Sequence, residues 1–154
     1  MCSAWENTMN RAIEEFITSK RIAVVGISRK QGKFGNRVLK ELGNRGYEVY
    51  PVHPEAEVIE GVRCHASLTA LRGAVDAVVV CIRPAAVDGV LREAAAIGLN
   101  RVWLQQGAES PSAVALGAEL GMNLVAGKCI LMYAPPVGGF HAFHRGMNRL
   151  FGRL

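Results

Sequence analysis

The chain is poor in aromatic residues, with 2 Trp, 3 Tyr and 5 Phe in 154 positions. Nowhere do they interleave with basic residues as in a strand that stacks RNA bases, which argues against a nucleic-acid partner. Its cysteines, Cys2, Cys64, Cys81 and Cys129, form no Cys-x-x-Cys pair and have no histidines at zinc spacing. A disulfide framework and a structural zinc site are therefore not expected, and reduced thiols in the cytosol fit best. No apolar run approaches membrane length, and the N-terminus shows no basic segment followed by an apolar stretch. The sequence thus predicts a cytoplasmic chain without a transmembrane segment or export signal.

What remains is a soluble, globular composition, half apolar and a fifth charged, long enough for one domain with a real core. The net charge of +5 suits an acidic ligand, an acidic membrane surface or nucleic acid without choosing among them. The stretch from Arg21 to Asn36 organises the rest. Ile22 to Val25 are too few for a helix and β-branched enough for a buried strand, and Val38, Leu39 and Leu42 then recur at helical spacing. Between them lies a glycine-punctuated basic loop. A strand–loop–helix turn of this kind points the free N–H groups of the helix start above the strand, a place that favours an anion and most naturally a phosphate.

Along the chain, Met9, Ala12, Ile13, Phe16 and Ile17 share a helical face, with Asn7 or Thr8 as the expected N-cap. The helix from about Phe34 is expected to stop at Gly46, and Tyr47 to Val52 follow as a second strand halted by His53 and Pro54. Glu55 to Thr69 reads as a surface excursion with a short extended piece at Gly61 to Arg63 and a helical turn from Ser67. Ala74 to Ile82, apolar apart from Asp76, reads as a strand covered on both faces. A helix follows through Val87, Val90, Leu91 and Ala94 to Gly98. Arg101 to Gln105 is a fourth strand, Ser110-Pro111 opens a helix that Gly121 ends, and Asn123 to Ala126 is a fifth strand.

This alternation predicts an α/β, Rossmann-like domain over residues 1–129, a doubly wound, five-stranded parallel sheet with helices on both faces. Residues 130–154 read as a Pro/Gly connector and a basic amphipathic helix, not a separate domain. Phe140, Phe143, Met147, Leu150 and Phe151 line one face of that helix. The stripe is expected to dock on the domain, on a second copy of the chain or on a partner chain, with an anionic membrane surface as the alternative.

Ligands of such sheets lie beyond the carboxyl ends of the strands. The sequence places Gly26 to Gly35, Val52-His53-Pro54, Ile82-Arg83-Pro84, Gln105-Gln106-Gly107 and Lys128-Cys129 there. The dinucleotide fingerprint is incomplete: Ser28 stands where its second glycine would be, Gly35 comes too late for the tight turn, and positions 51 to 54 carry no acid for ribose hydroxyls. These departures weaken an NAD reading, while the basic loop leaves an NADP-using oxidoreductase-like domain as the alternative.

Taken together, Gly26-Ile27-Ser28, Gly35, Gly46 to Pro54, Val75 to Val80, Arg83-Pro84 and Val102 to Gly107 resemble the small stand-alone CoA-binding-domain proteins. These are similar to the CoA-binding N-terminal domain of the succinyl-CoA synthetase alpha subunit and of acyl-CoA synthetases that form nucleoside diphosphates. The resemblance covers roughly Ala12 to Cys129. It departs from the pattern at His53, where an asparagine is common, and in the tail. It implies a nucleotide-binding function with coenzyme A or an acyl-CoA as the cofactor. Gly26, Ile27 and Ser28, and the backbone from Arg29 and Lys30 through Lys33, Phe34 and Gly35, would receive its phosphates. Val52, His53 and Pro54 would border adenine and ribose, Ile82, Arg83 and Pro84 would flank the nucleotide or pantetheine, and Gln105 with Gly107 would line the far side.

Physical chemistry points the same way, since a 3′-phosphorylated nucleotide calls for cations near the end of the second strand, and Arg29, Lys30, Lys33 and Arg83 supply them. Plainer roles stay open for several of these residues. Ser28 can cap the helix or bond within the loop, Arg83 can be a solvated surface charge, Pro54 and Pro84 can simply stop strands, and Cys81 and Cys129 can be small core residues. No nucleophile with a base and an orienting group assembles at one edge of the sheet, and no catalytic residue is assigned. The phosphohistidine domain of the acyl-CoA synthetases has no counterpart in the sequence.

Overall fold

The computed structural model describes residues 2–30 and 32–136. Helix α1 (Cys2–Ile17) leads into strand β1 (Arg21–Val25), helix α2 (Phe34–Asn44) and strand β2 (Glu48–Val52). A two-stranded hairpin, β3 (Val58–Ile59) and β4 (Val62–Arg63), and a 3-10 turn at Thr69–Leu71 precede β5 (Ala77–Val80). Helix α3 (Pro84–Ala96), β6 (Arg101–Gln105), α4 (Pro111–Glu119), β7 (Asn123–Lys128) and a 3-10 turn at Ile130–Met132 complete the order.

The five long strands form one parallel sheet in the order β2-β1-β5-β6-β7. This is the doubly wound arrangement expected, and strand order reverses between β1 and β5. Side chains alternate across it, so Ile22 and Val24 belong to one core and Ala23 to the other. The first core joins α1 and α2 to the sheet through Phe16, Val38, Leu39, Leu42 and Trp103. The second joins α3 and α4 through Val87, Leu91, Ala94, Ala113 and Leu116. Burying each such Val, Leu or Phe stabilises the fold by about 1.5–3 kcal/mol. Trp103, wholly buried, meets the edge of Phe16 at 5.3 Å and donates its indole N–H to the Lys128 carbonyl at 2.9 Å. It therefore ties α1 and the end of β7 to the centre of the sheet.

Several boundaries differ from the expectation. Helix α1 begins at Cys2, so Asn7 and Thr8 lie within it and neither is its N-cap. β5 spans Ala77–Val80, shorter at both ends than the run from Ala74 to Ile82, and Asp76 just before it is bonded to Arg21. The Arg21 backbone N–H, Nε and Nη2 donate to its carboxylate at 3.1, 3.3 and 2.8 Å. These bonds, foremost that from the side chain, hold the Asp76 carboxyl below its ordinary range. The surface excursion contains a strand that its sequence did not suggest, β3, joined to β4 by a tight turn in which Glu60 and Gly61 both have positive φ. Tyr47 precedes β2, buried, with its hydroxyl donating to the Ile17 carbonyl at 3.0 Å and its pKa pushed up to about 12 by that burial.

The two margins of the sheet differ. Beside β2, His65 bridges Val52, the His53 N–H donates to the His65 carbonyl at 2.9 Å, and the His65 N–H donates to Pro51 at 2.8 Å. Beside β7 no strand pairs among the described residues. Helices α1 and α4 flank that margin, leaving a hollow of 610 Å³ lined by Met9, Val114, Met122 and Leu124 among others. After β7 the chain crosses to α2, where Arg45 Nη1 donates to the Leu131 and Ala134 carbonyls at 2.9 and 2.8 Å. The amphipathic stripe expected from Phe140 onward lies outside the described residues. Among those residues, no helix is long and apolar enough to cross a membrane, and Cys64, Cys81 and Cys129 are free thiols.

Candidate functional site

An open groove of 820 Å³ lies at the carboxyl rim of the sheet, over the ends of β1, β5 and β6. It contains the point where strand order reverses, the place such sheets use for ligands. Gly26, Ile27, Ser28, Lys33, Phe34, Ile82, Arg83, Pro84, Gln105 and Gly107 line it, together with Cys81, Ala86, Gln106 and Ala108. Arg29, Lys30, Gly35, Val52, His53 and Pro54 do not. Arg29 and Lys30 are exposed on the glycine loop, Gly35 is buried under it, and Val52 to Pro54 lie at the end of neighbouring β2.

Two glycines shape the floor. Gly26 has φ of 104°, and a Cβ there would collide with the Cys81 carbonyl across the β1–β5 gap. A Cβ on Gly35 would collide with the Gly26 carbonyl, so Gly35 lets the first turn of α2 settle directly on the end of β1. That packing role belongs to its missing Cβ and leaves its backbone N–H in the first turn of α2.

The loop above them is held by a residue not singled out from the sequence. Asn36, 3 % exposed, accepts the Ser28 N–H at 2.7 Å and donates through Nδ2 to the Ser28 carbonyl at 2.6 Å. The Ser28 hydroxyl accepts the Lys30 N–H at 3.1 Å, which realises the within-loop bond left open for it. The Ser28 N–H and carbonyl are thus engaged and its hydroxyl oxygen accepts, which leaves the hydroxyl hydrogen to donate; the open backbone donors lie elsewhere. Neither α2, with Lys33 at its N-cap, nor α3, with Arg83 at its N-cap, has a side-chain cap. By contrast, α4 is capped by Ser110, whose hydroxyl accepts the Ala113 N–H at 3.1 Å. The start of α2 offers the N–H groups of its first turn, whereas α3 adds only that of Ala85, since Pro84 has none and the Ala86 N–H donates to the Arg83 carbonyl at 3.0 Å. With Lys33 and Arg83 beside them, both starts give the groove a positive potential. Neither Lys33 nor Arg83 has an ion-pair partner among the described residues. Phe34 adds an aromatic face, 46 % exposed, at the mouth.

The rest of the rim is more constrained. Gln105 contributes to the far wall, but its side chain is nearly buried and Oε1 accepts the Ile130 N–H at 3.0 Å. It serves to fasten the turn after β7. The Cys81 thiol is pushed up to about 12, chiefly by burial and further by nearby Cys129, and is a poor nucleophile at neutral pH. His53 accepts the Glu55 and Ala56 N–H groups through Nδ1 at 3.1 and 2.9 Å, and Glu55 in turn lies 3.6 Å from Arg29.

Residues 20–135 match the CoA-binding domain family. The chain belongs to that family. It is 32 % identical over 126 residues to the uncharacterized protein YneT of Bacillus subtilis, an alignment that spans 81 % of this chain and 93 % of YneT. A solved hypothetical protein from Pyrococcus horikoshii OT3 superposes with a TM-score of 0.72 at 31 % identity, covering 79 % of this chain and 87 % of that one. The alpha subunit of ADP-forming acetate–CoA ligase II of Pyrococcus furiosus is 26 % identical over 150 residues. That match takes in 90 % of this chain but 31 % of the subunit, so the chain corresponds to one part of the longer protein. Membership supports coenzyme A binding in general, and the Rossmann-like α/β fold is shared with the solved relative.

Proposed function

We propose that the chain binds coenzyme A or an acyl-CoA in the groove at the carboxyl rim without transforming it, as a carrier, sensor or regulatory module of the cytoplasm. The observation that carries this reading is the convergence on one groove of two helix starts without side-chain caps and of two cations that have no ion-pair partner among the described residues, in a chain of a CoA-binding family. The donor set fits the ligand. The N–H groups of Phe34, Gly35 and Asn36, with Lys33, would hold the pyrophosphate above Gly26 and Ile27. Ile82, Arg83 and Pro84 would flank the chain toward the pantetheine, facing Gln105 and Gly107. Val52, His53 and Pro54, with Arg29 and Lys30, would border adenine and ribose. Bound coenzyme A would bring its own thiol.

The groove supports binding more than catalysis. Its thiol, Cys81, is held protonated by burial, and the rim histidine has Nδ1 committed to a turn. Among the described residues no nucleophile and base stand together there. The ligases that share this domain are much longer, and their activity is not carried over.

Isothermal titration of the full chain with coenzyme A, acetyl-CoA, NAD and NADP tests the proposal. Binding of coenzyme A or acetyl-CoA with little or no heat from NAD is expected. Binding of NADP alone would replace this reading with the oxidoreductase-like one.

A further inference from the structure

We propose that Arg29 and Glu55 act as a selector for phosphorylated ribose at the end of β2, an inference that rests on coenzyme A binding as proposed above. In a doubly wound sheet the nucleotide's ribose lies at the end of the second strand, where an acid commonly accepts its hydroxyls. Positions 51 to 54 hold no acid, but Glu55 comes next. Its carboxylate is not offered bare: Oε2 lies 3.6 Å from Arg29 Nη2. The pair also brings the glycine loop against the turn after β2, so that phosphate loop and ribose corner share one patch of rim.

His53 fixes that turn. With Nδ1 accepting two backbone N–H groups, the neutral imidazole carries its proton on Nε2. This nitrogen has no partner among the described residues, and no buried side-chain nitrogen there is left without one, so it opens to solvent. The corner therefore presents a guanidinium, an N–H donor and one carboxylate that masks the guanidinium.

A ribose 3′-phosphate matches this set, taking the planar guanidinium through two oxygens and the imidazole N–H through a third. It must first displace Glu55. Arg29 and Glu55 have side chains 59 % and 73 % exposed, and a pair so open to water is weak enough to yield to a stronger anion. A bare ribose cannot displace it, and Arg29 then stays masked. Lys33 and Arg83 line the groove instead, Lys33 toward the pyrophosphate and Arg83 toward the pantetheine, as proposed above.

The experiment is calorimetric titration of the full-length chain with coenzyme A and with dephospho-CoA, for wild type, Arg29→Ala and Glu55→Gln. Wild type should bind coenzyme A roughly tenfold or more tightly than dephospho-CoA. Arg29→Ala should bring the two affinities within about twofold, and Glu55→Gln should widen the preference by roughly two- to fivefold by unmasking Arg29. Equal affinities in wild type, a preference unmoved by Arg29→Ala, or one narrowed by Glu55→Gln would each overturn the selector while leaving coenzyme A binding in place. Failure of both ligands to bind would remove the selector and the proposed function together.

Discussion

Asn36 offers the sharpest separation of stability from binding. Its amide closes a loop on Ser28 through bonds of 2.7 and 2.6 Å, and its side chain is nearly buried. In Asn36→Ala both bonds vanish, and the Ser28 N–H and carbonyl lose partners in a half-buried setting. At about 1 kcal/mol net for each bond, plus part of the cost of unmet backbone groups, the loss is about 2–4 kcal/mol. For a chain of this length, that lowers Tm by roughly 5–15 °C. Asn36→Asp keeps the acceptor but turns the donor into an oxygen facing the Ser28 carbonyl. Its charge in the first turn of α2 recovers about 0.3–1 kcal/mol from the helix dipole. That same charge stands where the proposed phosphate would sit. Against the dipole's gain stand the burial of the carboxylate and its oxygen's repulsion by the Ser28 carbonyl, so both variants should melt below wild type, and Ala should be the better binder of coenzyme A by calorimetry. A Tm for Asn36→Ala within about 1 °C of wild type would refute the clasp, and wild-type affinity in Asn36→Asp would refute an anion site at this helix start.

Other outcomes follow from neighbouring residues. Gly26→Ala combines a disfavoured positive φ, worth about 1–3 kcal/mol, with a collision against the Cys81 carbonyl; urea titration should show a lowered midpoint, and a midpoint equal to wild type would mean the β1–β5 gap is wider than described. Arg83→Ala should weaken coenzyme A and dephospho-CoA alike, by roughly tenfold, while unfolding free energy stays within about 0.5 kcal/mol, since the residue is exposed and has no ion-pair partner among the described residues. Asp76 has its carboxyl held down by Arg21 in the folded state. Its stabilisation is present above the unfolded carboxylate value of about 3.9 and fades as pH drops through the lower folded value. The stability gap between wild type and Asp76→Asn should thus shrink on acidification, and a gap that grows would reverse the assignment.

The fold was legible because its strands are short β-branched runs and its helices keep a clear stripe. Ile22 to Val25, the stripe Val38, Leu39 and Leu42, and Ser110-Pro111 each carry a local signal strong enough to survive tertiary context. The misread boundaries have local causes. Asn7 and Thr8 resemble caps because polar residues on the outer face of a helix use the same side chains as its start. Ala74 and Val75 look like strand because burial under a turn selects the same residues as a sheet.

At the rim, the residues bearing on one another across few positions were visible, including Gly26, Lys33 and the Arg83-Pro84 start of α3. Asn36 left only a faint trace, a polar residue beside the buried stripe of α2. Gln105 lies among the residues lining the groove, yet its bond to Ile130 spans 25 positions and no local pattern encodes it. The pairing of Arg29 with Glu55 likewise depends on how the turn after β2 folds back, which His53 decides through two backbone bonds.

The unequal margins of the sheet have a consequence for crowding. One side is already sealed by the chain's own hairpin region and by a proline that has no amide hydrogen to give. Among the described residues an open strand edge remains on the other side alone, so a copy that joined there edge to edge would leave no fresh template. If copies associate through this edge at high concentration, light scattering is expected to show a limiting particle size and not the growth of filaments.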